Sequence, residues 1–259
     1  MTTRKRKPSA AGDDSPARIR KAYFECRYGQ LHVTTAFPVG GGFDEHAPLL
    51  CIHRCALSSR AFRPFMEEIG RDRSVYAPDL PGCGESDPPQ QQPSIEGYAA
   101  ALADFLDHMR LRQFDVAGHH TGSLIAAELA IARPDVVRRL MLVGLPILAG
   151  EERAAWVRSV APPAASAEEL ALTQARDPNV RWMPNAALAY AADERLPLVR
   201  QPVLLVRNQD YLWEATLRGK PWLRDVKVLD LPGHGIDAFC TAPRSLATRL
   251  RAFLDRRKR

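Results

Sequence analysis

Short apolar runs alternate with amphipathic stretches along most of the chain. Such runs are typical of strands buried on both faces of a parallel sheet, and they occur at Leu49–His53, Ser74–Pro78, Gln113–Ala117, Arg139–Leu145, Val203–Val206 and Val226–Leu231. Apolar residues at helical spacing lie between or after them, for example Ile95, Tyr98, Leu102 and Phe105 behind Pro93-Ser94, and Leu246, Leu250 and Phe253 near the end. This alternation predicts an α/β fold with a doubly wound, mostly parallel sheet.

Two segments depart from this rhythm. Residues Ala22–Phe37 place β-branched and aromatic residues on both sides of Tyr28-Gly29-Gln30, which predicts a hairpin. Residues from about 147 to 197 combine Pro162-Pro163, two tryptophans and alanine-rich stretches, which indicates a small helical insertion over the sheet. We therefore predict one domain over residues 22–255 with a cap at about 147–197.

The net charge of +6 lies in the two ends of the chain. Residues 1–21 and 256–259 hold 11 of the 36 basic residues, which leaves 25 basic and 28 acidic residues in the body. A slightly acidic body is no footprint for a phosphate backbone, so we expect no nucleic-acid partner. The ends are predicted to be a disordered basic arm, residues 1–21, and a short basic tail, residues 256–259.

The cysteines and the apolar runs bear on the compartment. Five cysteines without a CxxC pair or metal-ligand spacing indicate reduced thiols and a cytoplasmic protein. No apolar run approaches the ~18 residues that a membrane span requires. The basic start is not followed by the apolar segment of a secretory signal. We expect neither a membrane partner nor a bound cofactor, and the oligomeric state stays open.

Four segments, in this order, resemble the α/β-hydrolase superfamily. They are LLCIHRC at residues 49–55, APDLPGCGESD at 77–87, GHHTG at 118–122, and the pair formed by Asp210 after strand VLLV and His234 in LPGHG. In the family the first leads into the oxyanion loop, and the third is the G-x-S-x-G nucleophile elbow between a strand and a helix. The chain order of nucleophile, acid and histidine is also that of the family, so the resemblance implies an α/β-hydrolase fold over residues 22–255.

Two positions depart from the family pattern. His120 stands where the family carries its nucleophile, and Arg54 replaces the glycine of the oxyanion loop. At the N-terminus of a helix the dipole opposes protonation, so we expect a neutral His120 imidazole at pH 7. A neutral imidazole has a lone pair available, and could act as a general base or as a nucleophile. We favour the base, because a ring reaches a substrate less accurately than a hydroxymethyl group does.

The resemblance assigns partners to His120. It implies that Asp210 accepts a hydrogen bond from His234, and that the backbone N–H groups of Cys55 and Thr121 form the oxyanion hole. Arg54 either adds a positive charge that favours a carboxylate or enolate substrate, or turns to solvent. His53, His119 and Asp79 are interpreted as structural, and the hydroxyls of Thr121 and Ser123 lie off the nucleophile register.

The leading hypothesis is a cofactor-independent hydrolase for a small carbonyl substrate, such as an ester, a lactone or a compound cleaved at a carbon–carbon bond. It would use His120 with the His234 and Asp210 pair. A second hypothesis is a lyase, isomerase or cofactor-free oxygenase on the same scaffold. A third is a binding protein without turnover. A metal site built from His120, His234 and a carboxylate is a weaker fourth, because its spacing matches no local motif.

Overall fold

The structure is a computed structural model that describes residues 17–39, 46–55, 57–110, 112–158 and 181–256. Its strands form one eight-stranded sheet in the order β1-β2-β4-β3-β5-β6-β7-β8. The strands are β1 (Arg18–Cys26), β2 (Gly29–Phe37), β3 (Leu49–Ile52), β4 (Val75–Pro78), β5 (Phe114–His119), β6 (Val137–Val143), β7 (Val203–Asn208) and β8 (Val226–Leu231).

The sheet is antiparallel at one side and parallel across the rest. Strands β1 and β2 form a hairpin in which Cys26 pairs with Gly29, and β2 pairs antiparallel with β4. Every pair from β4 through β3, β5, β6 and β7 to β8 is parallel. The doubly wound, mostly parallel sheet expected from the apolar runs is confirmed.

Helices connect the parallel strands. They are α1 (Arg63–Ile69), α2 (Ile95–Met109), α3 (Thr121–Ala132), α4 (Gly150–Arg158), α5 (Trp182–Ala189), α6 (Ala192–Arg195), α7 (Trp213–Arg218), α8 (Ala238–Thr241) and α9 (Pro243–Leu254). Helix α2 begins as its sequence indicates, because the Ser94 side chain accepts a hydrogen bond from the Gly97 N–H. No helix in the described part of the chain is long and apolar enough to cross a membrane.

Alternate residues of the central strands point into two separate cores. Leu50, Leu140 and Leu142 belong to the core beneath α2 and α3. Leu49, Met141 and Val143 belong to the opposite core, which includes residues of α1 and α9. Because successive strand residues face opposite sides, a run with both faces covered must be apolar throughout. This explains the continuous apolar runs of the sequence.

The N-terminal boundary differs from the expectation. Strand β1 begins at Arg18, four residues inside the segment predicted to be a disordered arm, and Arg18 pairs with Phe37. The polar residues of this strand alternate on an exposed edge, as its burial pattern shows. Edge strands tolerate charged residues, so the first residues of β1 lack the apolar pattern from which a strand is predicted. The rest of the predicted arm, residues 1–16, lies outside the described residues.

The predicted cap is described in part. Helices α4, α5 and α6 lie within the segment expected to be a helical insertion. Residues 159–180 of that segment, and residues 257–259 of the basic tail, are outside the described residues. The Glu128 carboxylate of α3 accepts hydrogen bonds from the Tyr190 hydroxyl at 2.9 Å and from Arg195 Nε at 3.0 Å, which joins the end of the cap to the main domain.

The carboxyl ends of the parallel strands bring the predicted site residues to one edge of the sheet. Arg54 follows β3, His120 follows β5, Asp210 follows β7 and His234 follows β8. This edge is where open α/β sheets bind their ligands.

Candidate active site

His120 lies at the tight turn that joins β5 to α3. Its backbone has φ 50° and ψ −117°, a conformation that costs energy for a residue with a side chain. The two flanking glycines make the turn possible: a Cβ on Gly118 would lie 2.2 Å from the Gly122 carbonyl oxygen, and one on Gly122 would lie 2.3 Å from that of Ile52. The turn therefore has the geometry of a nucleophile elbow, with a histidine at its tip.

The His120 imidazole has a hydrogen-bond partner on each nitrogen. Nε2 lies 3.0 Å from Asp210 Oδ2, and Nδ1 lies 3.3 Å from the Tyr211 hydroxyl. The His120 and Asp210 side chains are 2% and 4% exposed. The second carboxylate oxygen of Asp210 accepts a hydrogen bond from the Leu212 N–H at 2.8 Å, which fixes the orientation of the carboxylate. A carboxylate oxygen accepts from an N–H group, so in this pairing Nε2 carries the proton and Nδ1 keeps its lone pair.

Asp210 is thus paired with His120. The resemblance had implied a pairing of Asp210 with His234, and the structure does not have it. His234 is half-buried in the loop after β8, and its carbonyl oxygen accepts a hydrogen bond from the Gln209 N–H at 2.7 Å. Among the described residues, its imidazole makes no hydrogen bond to Asp210. The physical reason is reach: an imidazole at the elbow extends farther than a serine hydroxyl and arrives at the carboxylate itself.

Gly144 provides the space that the larger side chain needs. It follows β6 with φ +63°, and a Cβ at this position would lie 2.5 Å from His120 Cδ2 and 2.7 Å from Nε2. A glycine is required here for both the backbone conformation and the space. Gly144 was not among the site residues predicted from the sequence.

Burial keeps the His120 ring neutral. Desolvation lowers its pKa below the usual 6.5, Asp210 opposes the effect and Arg54 adds to it. Burial lowers the pKa of His119 still further. Desolvation is therefore the main reason why the ring is neutral at pH 7, as expected. The hydrogen bond to Asp210 orients the ring without protonating it.

Tyr211 contacts the site from the loop after Asp210. The residue is 46% exposed, yet its hydroxyl reaches the buried His120 ring, and desolvation there raises the pKa of Tyr211. The hydroxyl therefore stays protonated and can donate to His120 Nδ1. Trp156 of the cap packs edge-on against Tyr211, with the ring centroids 6.4 Å apart. Only its position next to Asp210 could have marked Tyr211 in the sequence.

A hydroxyl of the protein occupies one of the two predicted oxyanion donors. The Cys55 N–H donates to Thr121 Oγ1 at 2.7 Å, so the backbone donor points toward the elbow but already has an acceptor. Thr121 Oγ1 in turn lies 3.5 Å from Met183 Sδ of the cap. Ser123 Oγ donates to the carbonyl oxygens of Gly118 and Val143 at 2.8 and 3.1 Å. Both hydroxyls therefore have structural partners.

Arg54 points inward and not to solvent. It is 1% exposed, and its Nε and Nη2 have no hydrogen-bond partner among the described residues. Among the carboxylates of the described residues, that of Asp237 lies nearest: its Oδ1 is 3.7 Å from Nη2, and its side chain is 32% exposed. This distance allows Coulomb attraction but exceeds that of a hydrogen bond.

The remaining histidines of the region have structural contacts. His53 Nε2 accepts a hydrogen bond from the Leu80 N–H at 2.9 Å, and Nδ1 lies 2.7 Å from the Arg54 carbonyl oxygen. The His119 ring packs edge-on against His120 and Phe239. No group of three or more His, Cys, Asp or Glu side chains within the described ranges is arranged to hold a metal ion.

A cavity of about 130 Å³ with a mixed polar and apolar lining lies between the cap and the main domain. Its walls include Leu124 of α3 and Trp156 of α4. Trp156 also packs against Tyr211, which contacts His120, so one residue of the cavity wall is connected to the site through Tyr211.

The fold and the elbow together define a class of protein. Residues 47–201 match the α/β hydrolase fold family, and the chain belongs to that family.

Curated relatives and solved structures give further likenesses. The chain is 36% identical over 109 residues to 2-hydroxymuconate semialdehyde hydrolase of Pseudomonas sp. (strain CF600), a match that covers 40% of this chain and 37% of the relative. It is 25% identical over 154 residues to (E)-2-((N-methylformamido)methylene)succinate hydrolase of Acinetobacter baylyi, covering 60% and 57%. The chain thus spans about two fifths to just over half of these relatives.

Two solved structures resemble nearly the whole chain. A hydrolase from Pseudomonas aeruginosa superposes with a TM-score of 0.77 at 16% identity, covering 95% of this chain and 100% of that one. The N-acyl homoserine lactonase AidH, as a mutant complexed with N-hexanoyl homoserine, gives 0.74 at 22% identity, covering 93% and 99%. At these identities the likeness shows the fold alone.

Proposed function

We propose that this chain is a cofactor-independent enzyme of hydrolase type that acts on a small carbonyl compound: an ester, a lactone or a substrate cleaved at a carbon–carbon bond. The observation that carries the proposal is the buried 3.0 Å contact between His120 Nε2 and Asp210 Oδ2. A neutral imidazole that is hydrogen-bonded to a carboxylate through one nitrogen and has a lone pair on the other can act as a general base. The hydrolase names of the relatives support the reaction class.

The proposed reaction passes through His120 Nδ1. The Tyr211 hydroxyl yields this nitrogen to a water molecule, and Nδ1 takes a proton from the water as its oxygen attacks the substrate carbonyl carbon. Asp210 stabilises the imidazolium that forms, since its carboxylate already accepts a hydrogen bond from Nε2–H. The imidazolium then returns its proton to the leaving group when the tetrahedral intermediate collapses, so the ring ends neutral.

The other predicted residues take supporting roles in this proposal. Arg54 adds a buried positive charge beside the oxyanion loop, which favours an anionic substrate, and the Cys55 N–H is engaged by Thr121 Oγ1. The Thr121 N–H, at the start of α3, is the second candidate donor. His234 lies on the neighbouring loop, and any catalytic role of His234 would not involve a hydrogen bond to Asp210. We also propose that the protein is cytoplasmic, since all five cysteines are thiols.

A buried cation beside a base also supports a second candidate function. In a lyase or isomerase, His120 would remove a proton from a carbon atom and Arg54 would hold the resulting enolate. Water enriched in oxygen-18 distinguishes the two functions, because only hydrolysis must place its oxygen in the product.

The test of the base is a panel of esters, lactones and β-diketones assayed with wild type, His120→Gln and His119→Phe. His119 is the matched control, because it is the adjacent buried histidine and Phe preserves its ring contacts. We expect a loss of at least about 100-fold in kcat for His120→Gln, with His119→Phe near wild type. Full activity in His120→Gln would refute the role of His120, and a folded wild type inactive on the whole panel would favour a binding protein.

A further inference from the structure

We infer that Arg54 and Asp237 form an anion subsite of this active site, in which Asp237 is a resident carboxylate that the carboxylate of a ligand displaces. The ligand is a small monocarboxylate. The substrate is then a carbonyl compound that carries a carboxylate group, and only this link to catalysis rests on the proposed function.

The hydrogen-bond pairing of the Arg54 guanidinium is incomplete. A guanidinium in the interior must have its N–H groups accepted, because an unpaired buried charge is costly. Arg54 is 1% exposed, and two of its three nitrogens have no acceptor among the described residues. A planar guanidinium with adjacent N–H groups unused matches the two oxygens of a carboxylate.

Asp237 interacts only weakly with Arg54. At 3.7 Å, Asp237 Oδ1 attracts the guanidinium without accepting a hydrogen bond from it. The Asp237 side chain is 32% exposed, so its carboxylate can return to water when another anion approaches Nη2. By contrast, the exposed pair of Arg207 and Asp230 has two hydrogen bonds of 2.7 Å each. Arg54 therefore keeps N–H donors that a ligand carboxylate can bind.

Arg54 lies close to the base. Cys55, the residue after Arg54, donates its N–H to the side chain of Thr121, the residue after His120, at 2.7 Å. The charges of Arg54 and Asp237 both act on the pKa of His120, which Arg54 lowers and Asp237 raises. Phe239, two residues after Asp237, packs against His119, whose ring lies 4.5 Å from that of His120. A carboxylate on Arg54 would thus hold the rest of a small ligand beside His120.

Calorimetric titration at pH 7.5 with butyrate, and with the uncharged butyramide, tests the inference in the absence of any reaction. We expect butyrate to bind wild type and butyramide to bind at least about 10-fold more weakly. Arg54→Gln should abolish the preference. Asp237→Asn should strengthen butyrate binding several-fold, because the resident competitor is gone. The matched control, Asp230→Asn, changes the net charge equally and should leave binding as in wild type.

Each other result contradicts the subsite. Equal binding of butyrate and butyramide, or no binding of either, overturns it. If Arg54→Gln does not fold, Asp237→Asn still decides: unchanged or weaker butyrate binding in that variant refutes the displacement. The proposed function fails separately. Arg54-dependent butyrate binding by a protein inactive on the carbonyl panel would leave the subsite standing without the hydrolase, and neutral-ester hydrolysis without butyrate binding would do the reverse.

Discussion

His120 replaces a small hydroxyl with a ring at a position where the backbone is already strained. The change alters which groups meet: the ring spans the distance to Asp210, leaves His234 without that partner among the described contacts, and requires Gly144 beneath it. The sequence predicted His120 and Asp210 as site residues. It could not predict their direct contact, because they lie on loops 90 residues apart and the length of a side chain decided the pairing.

The Gly144→Ala variant should separate the ring from its carboxylate. The new methyl would overlap Nε2 and Cδ2, so the ring must move away from Asp210, and we expect kcat to fall at least about 10-fold. The matched control is Gly150→Ala. Gly150 also has a positive φ, +50°, but a Cβ there meets nothing within 4 Å. Both variants should lose about 1–2 kcal/mol of unfolding free energy, as measured by urea denaturation, and only Gly144→Ala should lose activity. Equal activities would show that Gly144 does not position the ring.

Fluorophosphonate probes should not label the wild-type protein. These probes report an activated serine, and the threonine and serine that follow His120 are both engaged: Thr121 Oγ1 accepts from the Cys55 N–H, and Ser123 Oγ donates to two carbonyl oxygens. Intact-protein mass spectrometry after incubation with the probe checks this. An adduct located at Ser123 would contradict the assignment of the chemistry to His120.

Among the elements, helix α3 carries both the elbow and the contact to the cap. Its first turn follows His120, and two turns later Glu128 binds Arg195 and Tyr190. The apolar runs predicted α3 and its neighbours because both faces of the sheet are covered. They could not reveal that Glu128, one charged residue within an apolar helix, joins the helix to the cap, since its partners are distant in sequence.

The Glu128→Gln variant should lower stability more than its exposed counterpart. Glu128 is 4% exposed, and loss of its charge leaves Arg195 and Tyr190 with a weaker acceptor, so we expect a loss of about 1–3 kcal/mol in unfolding free energy. Glu152→Gln is the control, because Glu152 pairs with Arg218 where both side chains are more than a third exposed. There the loss should stay below about 1 kcal/mol. Equal losses in urea denaturation would show that burial of Glu128 has no special effect.

At the scale of the whole molecule, three buried histidines make stability depend on pH. Burial lowers the pKa of His53, His119 and His120 below 6.5. The unfolded chain takes up protons on these rings as the pH falls through 6.5, whereas the folded protein takes them up only at lower pH. The stability that the neutral rings provide is therefore complete above about pH 6.5 and is lost as the pH falls toward the folded pKa values.

Urea denaturation at pH 7.5, 6.5 and 5.5 measures this effect. The free energy of unfolding should decrease below pH 6.5, with each histidine contributing at most about 1.4 kcal/mol per pH unit. The His119→Phe variant should show a shallower decrease, because one of the three rings is removed. A wild-type stability that is constant or rises toward pH 5.5 would contradict the buried neutral histidines.

The elbow is central to this account: it carries a neutral His120 whose Nε2–H donates a hydrogen bond to the Asp210 carboxylate. Two-dimensional ¹H–¹⁵N spectra of the imidazole rings at pH 7, recorded on ¹⁵N-histidine-labelled protein, test it without a substrate, with His120→Gln and His234→Gln providing the assignments. We predict a neutral His120 ring with its proton on Nε2, and a large shift of that ring's signals in Asp210→Asn while those of His234 stay in place. A protonated His120, a proton on its Nδ1, or a response to Asp210→Asn by His234 in place of His120 would contradict the account.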